Sequence, residues 1–362
     1  MVSFERFDLP EIGAPTEIPV GGPEVYQSRQ QRLELACKDA GFDCLAIYAD
    51  REHSANLAWL SGFDPRFEEA LWLQVGSAKP TLLVGNENLD FAPLQLELEA
   101  DIILYQPFSL PNQDRGGSTS LRALLKQAGF GRGMRCALLG WKPMPAPEVP
   151  YWIVQALRDV VGEEPVNANH LLMDVDTGLR LVLEPEMVRS AEYAASLTSE
   201  AVKAWVFGLR EGITERESAE ALVSYGMELS CHPMVNFGRP IASGLGSAGN
   251  RRAYRGEYGQ TAFGVRGGLT CRAGRLVTSQ DDDDPDGYRA LVENYLEVVR
   301  TWYSRLSVGT RAGEVVSAAQ EARLDLWEFA LNPGHLISLD EWVASPFFED
   351  SEILLKSGHA IQ

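Results

Sequence analysis

A two-domain chain is what this sequence predicts, with an α/β first half and a mixed α+β second half. Three observations point there. The 362 residues are 45% hydrophobic and 23% charged, an ordinary globular composition long enough for two cores. Over residues 25–175, short apolar runs alternate with helical patterns, as an α/β domain requires. Beyond residue 180, long amphipathic helices flank a glycine-rich, strand-like centre. The expected divisions are an N-terminal arm over 1–24, a first domain over 25–175 and a second over 180–362.

Each element has a local reason. Pro10, Pro15, Pro19, Gly21, Gly22 and Pro23 make the arm extended. Leu33, Ala36, Cys37 and Ala40 lie at helical spacing before Gly41, a stop signal. Strands are expected at 44–48, 70–75, 80–84, 102–105 and 136–139, and helices at 55–60, 121–127 and 151–159. In the second half a long helix over 186–212 ends at Gly212. Thr214 and Glu217 form a capping box that opens a helix running to about 224. Strand-like pieces follow at 259–265 and 269–277, then helices at 288–306 and 312–330, broken by Asn332-Pro333-Gly334, and a last strand over 353–362.

A formal net charge of -19 argues against nucleic acid as the main partner and against anionic membrane surfaces. No apolar run has the length of a membrane-spanning helix. The N-terminus has neither a basic start nor an apolar core of a secretory signal. Five widely spaced cysteines, Cys37, Cys44, Cys136, Cys231 and Cys271, make neither a disulfide framework nor a zinc motif, so reduced thiols in a cytoplasm are expected.

Four local patterns could carry chemistry. Gly244-Leu245-Gly246-Ser247-Ala248-Gly249 spells a phosphate-binding string, but Asn250-Arg251-Arg252 after it starts a helix poorly, which favours a plain loop beside a pocket. Asp281 to Asp284 with Asp286 lacks calcium-loop spacing and reads as a solvated loop. Arg251, Arg252, Arg255, Arg266, Arg272 and Arg275 crowd a segment holding one acid, Glu257; they suit an anion site or pairing with acidic surface. His335, with Asp340 and Glu341 five and six residues on, could form an acid–base set, or be structural; His232 is a weaker candidate of the same kind.

Taken together, the halves resemble the creatinase, prolidase and aminopeptidase P family. In the first half the resemblance lies in Arg32-Leu33, Gly41-Phe42-Asp43-Cys44-Leu45-Ala46-Ile47 and Asn56-Leu57-Ala58-Trp59-Leu60-Ser61-Gly62-Phe63. In the second it lies in Glu186-Met187-Val188-Arg189, in Leu209-Arg210-Glu211-Gly212-Ile213-Thr214-Glu215, in Gly334-His335 and in Leu355-Lys356-Ser357-Gly358-His359. The resemblance implies a creatinase-type N-terminal α/β domain and a C-terminal pita-bread domain. It also implies a homodimer in which the loop Gly62-Phe63-Asp64-Pro65-Arg66 of one chain reaches the other's cleft.

The departures from that family shape the functional expectation. Its metallopeptidases hold two metal ions with two Asp, one His and two Glu. The stretch 259–275, where the Asp pair belongs, contains no Asp. His335 matches the ligand histidine, and Trp342 stands where a second pocket histidine would fall. The sequence ends at Gln362, before the matching Glu residues; this implies a sheet cut short before its last strands or a domain that closes differently. Creatinase hydrolyses a C–N bond without metal, but its loop histidine has no match in 244–255. The expectation is therefore metal-independent C–N hydrolysis of a small amino-acid or peptide-like anion, with no cofactor. His335, Asp340 and Glu341 would be catalytic; Arg66, His232, Arg272 and Arg275 would bind substrate. The alternative is a non-catalytic relative kept for ligand binding or dimerisation.

Overall fold

The structure, a computed structural model, describes residues 8, 10–11, 13–19, 21–239, 244–277 and 287–362. It divides into two compact units, Gly21–Arg180 and the rest of the described chain.

The first unit runs α1 (Pro23–Asp39), β1 (Cys44–Ala49), α2 (Ala55–Ser61), β2 (Ala70–Val75), β3 (Thr81–Val84), α3 (Asn88–Gln95), β4 (Asp101–Leu104), α4 (Leu121–Gln127), β5 (Cys136–Leu139), α5 (Tyr151–Val161), β6 (Val166–Asn167) and α6 (His170–Met173). The sheet order is β4-β3-β2-β1-β5-β6. The β1–β2 and β2–β3 pairs are antiparallel; β3–β4, β1–β5 and β5–β6 are parallel. All of β1 is buried, so both sheet faces are covered. Ala46, Tyr48, Leu71 and Leu73 meet Leu121, Leu124 and Leu125 of α4 and Ile153 and Leu157 of α5 on one side. Arg29 of α1, itself buried, donates to the Trp59 carbonyl of α2 at 2.7 Å and lies over that indole. The α3 helix is absent from the sequence reading because Pro93 interrupts its pattern. Its start is secured from outside: buried Glu68 accepts from the backbone N–H of Asn88 at 3.0 Å.

The second unit runs α7 (Pro185–Gly208), α8 (Glu215–Ala219), β7 (Leu229–Phe237), β8 (Tyr258–Val265), β9 (Thr270–Arg275), α9 (Tyr288–Arg305) and α10 (Ala312–Ala322). Pro185 sits in the first turn of α7, where its missing N–H costs nothing. Ala194, Leu197, Thr198, Ala201, Val202 and Trp205 recur every three or four residues and form its buried stripe. That stripe covers Val235, Phe237, Phe263 and Val265 on one face of the antiparallel β7-β8-β9 sheet. No helix among the described residues is long and apolar enough to cross a membrane.

Several boundaries differ from expectation. The α8 helix stops at Ala219 rather than near 224, and α10 stops at Ala322, where Arg323 turns to an extended backbone. The strand β7 is new; His232-Pro233 inside it hides the alternation, and the register shifts there. Residues 353–362 are not one strand. Leu354 bridges Arg311, and Ile361 bridges Leu336, with two backbone hydrogen bonds joining His335 and Gln362. The acidic run Asp281–Asp284 with Asp286, and much of the arm, lie outside the described residues.

The capping box at Thr214 and Glu217 is formed. Its neighbour Glu215 is fully buried and joins three segments: it heads α8, its Oε1 accepts from the Phe237 N–H at 2.9 Å, and its Oε2 accepts from the Gly249 N–H at 2.9 Å. A Cβ on Gly249 would stand 3.0 Å from Oε2, so a side chain there would crowd the carboxylate. Hydrogen bonds to a charged acceptor contribute about 1.5–3 kcal/mol each. Glu215→Ala is therefore expected to lower the unfolding free energy by about 3 kcal/mol or more, read as a shift in urea midpoint with unchanged slope. A midpoint within error of the wild type would remove Glu215 from this role.

Candidate functional site

The inner face of the β7-β8-β9 sheet, opposite α7, follows from strand alternation. Residues directly opposed on antiparallel strands share a face. Met234, Ala262 and Cys271 form one row across the three strands, and Asn236, Gln260 and Ala273 the next. Cys231 opposes Gly264 beyond the register shift.

The second row carries polar side chains in a buried position. Asn236 is 1% and Gln260 7% exposed. Asn236 Oδ1 accepts from the Gly246 N–H at 2.8 Å, which fixes the amide's orientation. Its Nδ2, and Nε2 of Gln260, have no hydrogen-bond partner. Two neighbouring NH2 groups thus lack acceptors, each an uncompensated cost of about 1–3 kcal/mol. Ser247 of the adjoining loop bridges Met234 and receives His232 Nε2 at 3.0 Å. The string 244–249 opens no helix; Glu215 N–H donates to the Arg251 carbonyl and Arg216 N–H to that of Gly249, pinning the loop to the start of α8.

The thiols here are not nucleophiles near neutral pH. Burial first, then the charges of Glu341 and Cys271, pushes Cys231 up to about 12, and burial raises Cys271. Glu341, on the segment after His335, acts on Cys231 through its charge.

His335 is 6% exposed and stacks on Trp342, with ring centroids 4.0 Å apart and planes 17° apart. Its backbone pairs with Gln362, and Leu336 next to it pairs with Ala344. Gly334 precedes it at φ 144, and a Cβ there would lie 3.1 Å from the Phe347 ring, so this turn requires glycine. Burial lowers the His335 pKa, opposed more weakly by the Leu336 backbone and by Gln362, and Nδ1 has no partner. Asp340 closes a turn by accepting from the Ser338 N–H through its carbonyl.

The remaining expected site residues are dispersed. Arg272 alternates with Cys271 and so lies on the opposite, α7 face, with Nη1 on the Cys271 carbonyl. Arg275 donates from Nε to the Gly256 carbonyl at 2.9 Å. Within the first unit, Arg66 sits at φ 60 with its guanidinium over Phe91 at 3.9 Å and Phe67 at 4.6 Å. The nearby acids do not pair with its guanidinium: Asp64 accepts from the Arg66 backbone N–H, Glu68 caps α3, and Glu69 accepts from the Tyr48 hydroxyl. Asn236 and Gln260 escaped the sequence reading, since only the register of β7, itself unrecognised, puts them side by side.

A dinuclear metal centre does not fit these residues. The opposed positions Ala262 and Cys271 supply one methyl group and one protonated thiol. Among the described residues no group of three or more His, Cys, Asp or Glu side chains could hold a metal ion.

No family model and no curated protein sequence matches this chain. Solved structures do match its fold. A prolidase from Thermococcus sibiricus superposes with a TM-score of 0.75 at 15% identity, over 93% of this chain and 88% of that one. A Xaa-Pro dipeptidase from Bacillus anthracis gives 0.72 at 15% identity, with the same coverage. The N-terminal domain of the FACT complex subunit SPT16 from chickpea gives 0.65 at 14% identity, over 94% and 87%. The chain therefore has the two-domain pita-bread fold over nearly its whole length, as its resemblance implied.

The lowered pKa of His335 has a consequence for stability. Unfolded histidine titrates near 6.5. Between that value and the lower folded one, the unfolded chain binds more protons, so stability rises with pH there. Stability should be full above about pH 6.5 and fall as pH drops toward the folded pKa. Urea midpoints across this window should flatten in His335→Phe, which keeps the stack on Trp342. An unaltered pH slope in that variant would show that His335 is not the titrating group.

Proposed function

We propose that this protein uses the prolidase-type fold to bind a small peptide-like acid at the inner sheet face, without a dinuclear metal centre and without turnover. One observation carries the reading: the row Ala262–Cys271 has no carboxylate, and the next row presents the acceptor-free NH2 groups of Asn236 and Gln260. Amide N–H groups recognise carboxylate or carbonyl oxygens, whereas a divalent ion requires lone pairs. A structure named as a FACT complex subunit rather than as a peptidase shares the fold, which supports a non-peptidase use.

A second reading has its own observation. His335 is buried, held toward its neutral form, and has an unpartnered Nδ1. As a general base or acid, with Asp340 and Glu341 on the same segment, it would serve metal-independent hydrolysis of a C–N bond in a small amino-acid or peptide-like substrate. Either reading includes a homodimer with Arg66 close to the partner's site, supported by the absence of a carboxylate partner for the Arg66 guanidinium among the described residues, where it donates to Asn88 Oδ1. His232, on Ser247 beside the amide row, would add a polar contact to the ligand.

Calorimetry and turnover assays on the same purified protein separate the readings. With Xaa-Pro dipeptides and creatine, binding without turnover is expected, both after EDTA treatment and with added Mn2+. Asn236→Ala or Gln260→Ala should weaken binding about tenfold, the worth of one good hydrogen bond. Turnover that survives EDTA and is lost in His335→Ala would replace the first reading by the second. Turnover that requires metal, with two ions per chain by elemental analysis, would overturn both. Sedimentation at micromolar concentration should show a dimer; a monomer removes the role of Arg66.

A further inference from the structure

On the opposite face of the same sheet, a cavity of about 330 Å³ opens between the C-terminal end of α7 and strands β8 and β9. That volume is at the small end of small-molecule sites, which run from roughly 300 to 1,000 Å³. Its floor is a local gap in the side-chain layer, because Gly259 and Gly274 oppose each other across β8 and β9. The Phe237 ring lies over Gly259, where a Cβ would stand 3.1 Å from it. At Gly274 the nearest heavy atom to a Cβ is the Tyr288 hydroxyl at 4.0 Å, so the space there is open. Trp205 and Phe237 form the apolar wall, and the indole is held by its hydrogen bond to Ser218 at 3.2 Å.

Charged side chains line this apolar space, Arg272, Arg275 and Glu257 among them. Arg272 lines it and keeps a guanidinium available for an anion. Arg251 pairs with Glu257, Arg266 with Glu228, Arg252 donates to the Gly212 carbonyl and Arg275 to that of Gly256. Arg272 makes no ion pair among the described residues and donates only to the carbonyl of its neighbour Cys271. Glu257 also lines the cavity; its Oε1 takes Arg251, and its buried Oε2 has no donor. An apolar wall, a bare floor, one unpaired cation and one unsatisfied acceptor are the complement of an amphipathic acid.

We propose that this cavity is a second ligand site, separate from the inner sheet face, which binds a small aryl- or alkyl-substituted carboxylic acid. The apolar body lies on Trp205 and Phe237 over the Gly259–Gly274 floor, and the carboxylate takes Arg272 as a charge-assisted partner. Glu257 Oε2 favours ligands that carry a hydrogen-bond donor near the opposite end.

Titration calorimetry and ligand-observed NMR with 3-phenylpropanoate, and with the charge-reversed 3-phenylpropylamine, test this on the full chain. The acid should bind at least about tenfold more tightly than the amine. Arg272→Ala, a change at an exposed position, should weaken the acid by about tenfold or more and leave the amine unchanged. Gly274→Leu should fill the open floor and abolish acid binding while far-UV circular dichroism and the melting temperature stay near wild type. Acid and amine binding alike, acid binding that survives Arg272→Ala, or no acid binding at millimolar concentration would overturn the proposal. Asn236→Ala, on the inner face, should leave 3-phenylpropanoate binding unchanged; loss there would place the acid on the inner face instead.

Discussion

The carboxylate of Glu215 ties the start of α8 to strand β7 and to the glycine-rich loop. Among the described residues it is the one fully buried acid of that unit to receive backbone N–H groups from both β7 and the glycine-rich loop, through Phe237 and Gly249. With Thr214 and Glu217 capping the same helix start, the loop 244–253 is laced to residues 212–216 by a run of backbone hydrogen bonds. That lacing sets where Gly246 meets Asn236 and where Ser247 meets His232. A glycine-rich string that could have cradled phosphate is thereby committed to the edge of a sheet.

The inner face of that sheet has inverted chemistry relative to a metallopeptidase. A cation site concentrates lone pairs; this face concentrates N–H donors, a methyl group and protonated thiols. The inversion is electrostatic as well as steric, since a donor pair attracts oxygen anions and repels a divalent ion. His335 sits in the same unit as a neutral, stacked imidazole, a state favoured by burial against Trp342. The two faces of one three-stranded sheet thus offer different chemistries because successive side chains alternate: Cys271 on one side, Arg272 on the other.

Much of the first unit was legible because its signals are local. Gly62 ends α2 at φ 78, and the apolar runs of β1, β2, β3 and β5 stand alone between polar turns. The capping box at Thr214 and the apolar stripe of α7 were legible for the same reason. The misses came where distant residues decide. The α3 helix carries an internal Pro93 and depends on Glu68 from another segment. The expected strand over 353–362 breaks into two bridges because His335 and Arg311 each take part of it.

The sequence by itself determined the fold class, the net negative charge, the absence of Asp from 259–275 and the placement of His335 after a glycine turn. Those are statements about residue type and short-range pattern, and neither depends on which strands become neighbours. Only the tertiary structure decided that Ala262 faces Cys271, that Asn236 and Gln260 share a row, and that Arg272 points away from both. Strand register is the physical reason. A shift of one residue sends every side chain to the other face, and the bulge at His232-Pro233 that sets the register of β7 is a property of paired strands, not of the sequence read along one of them.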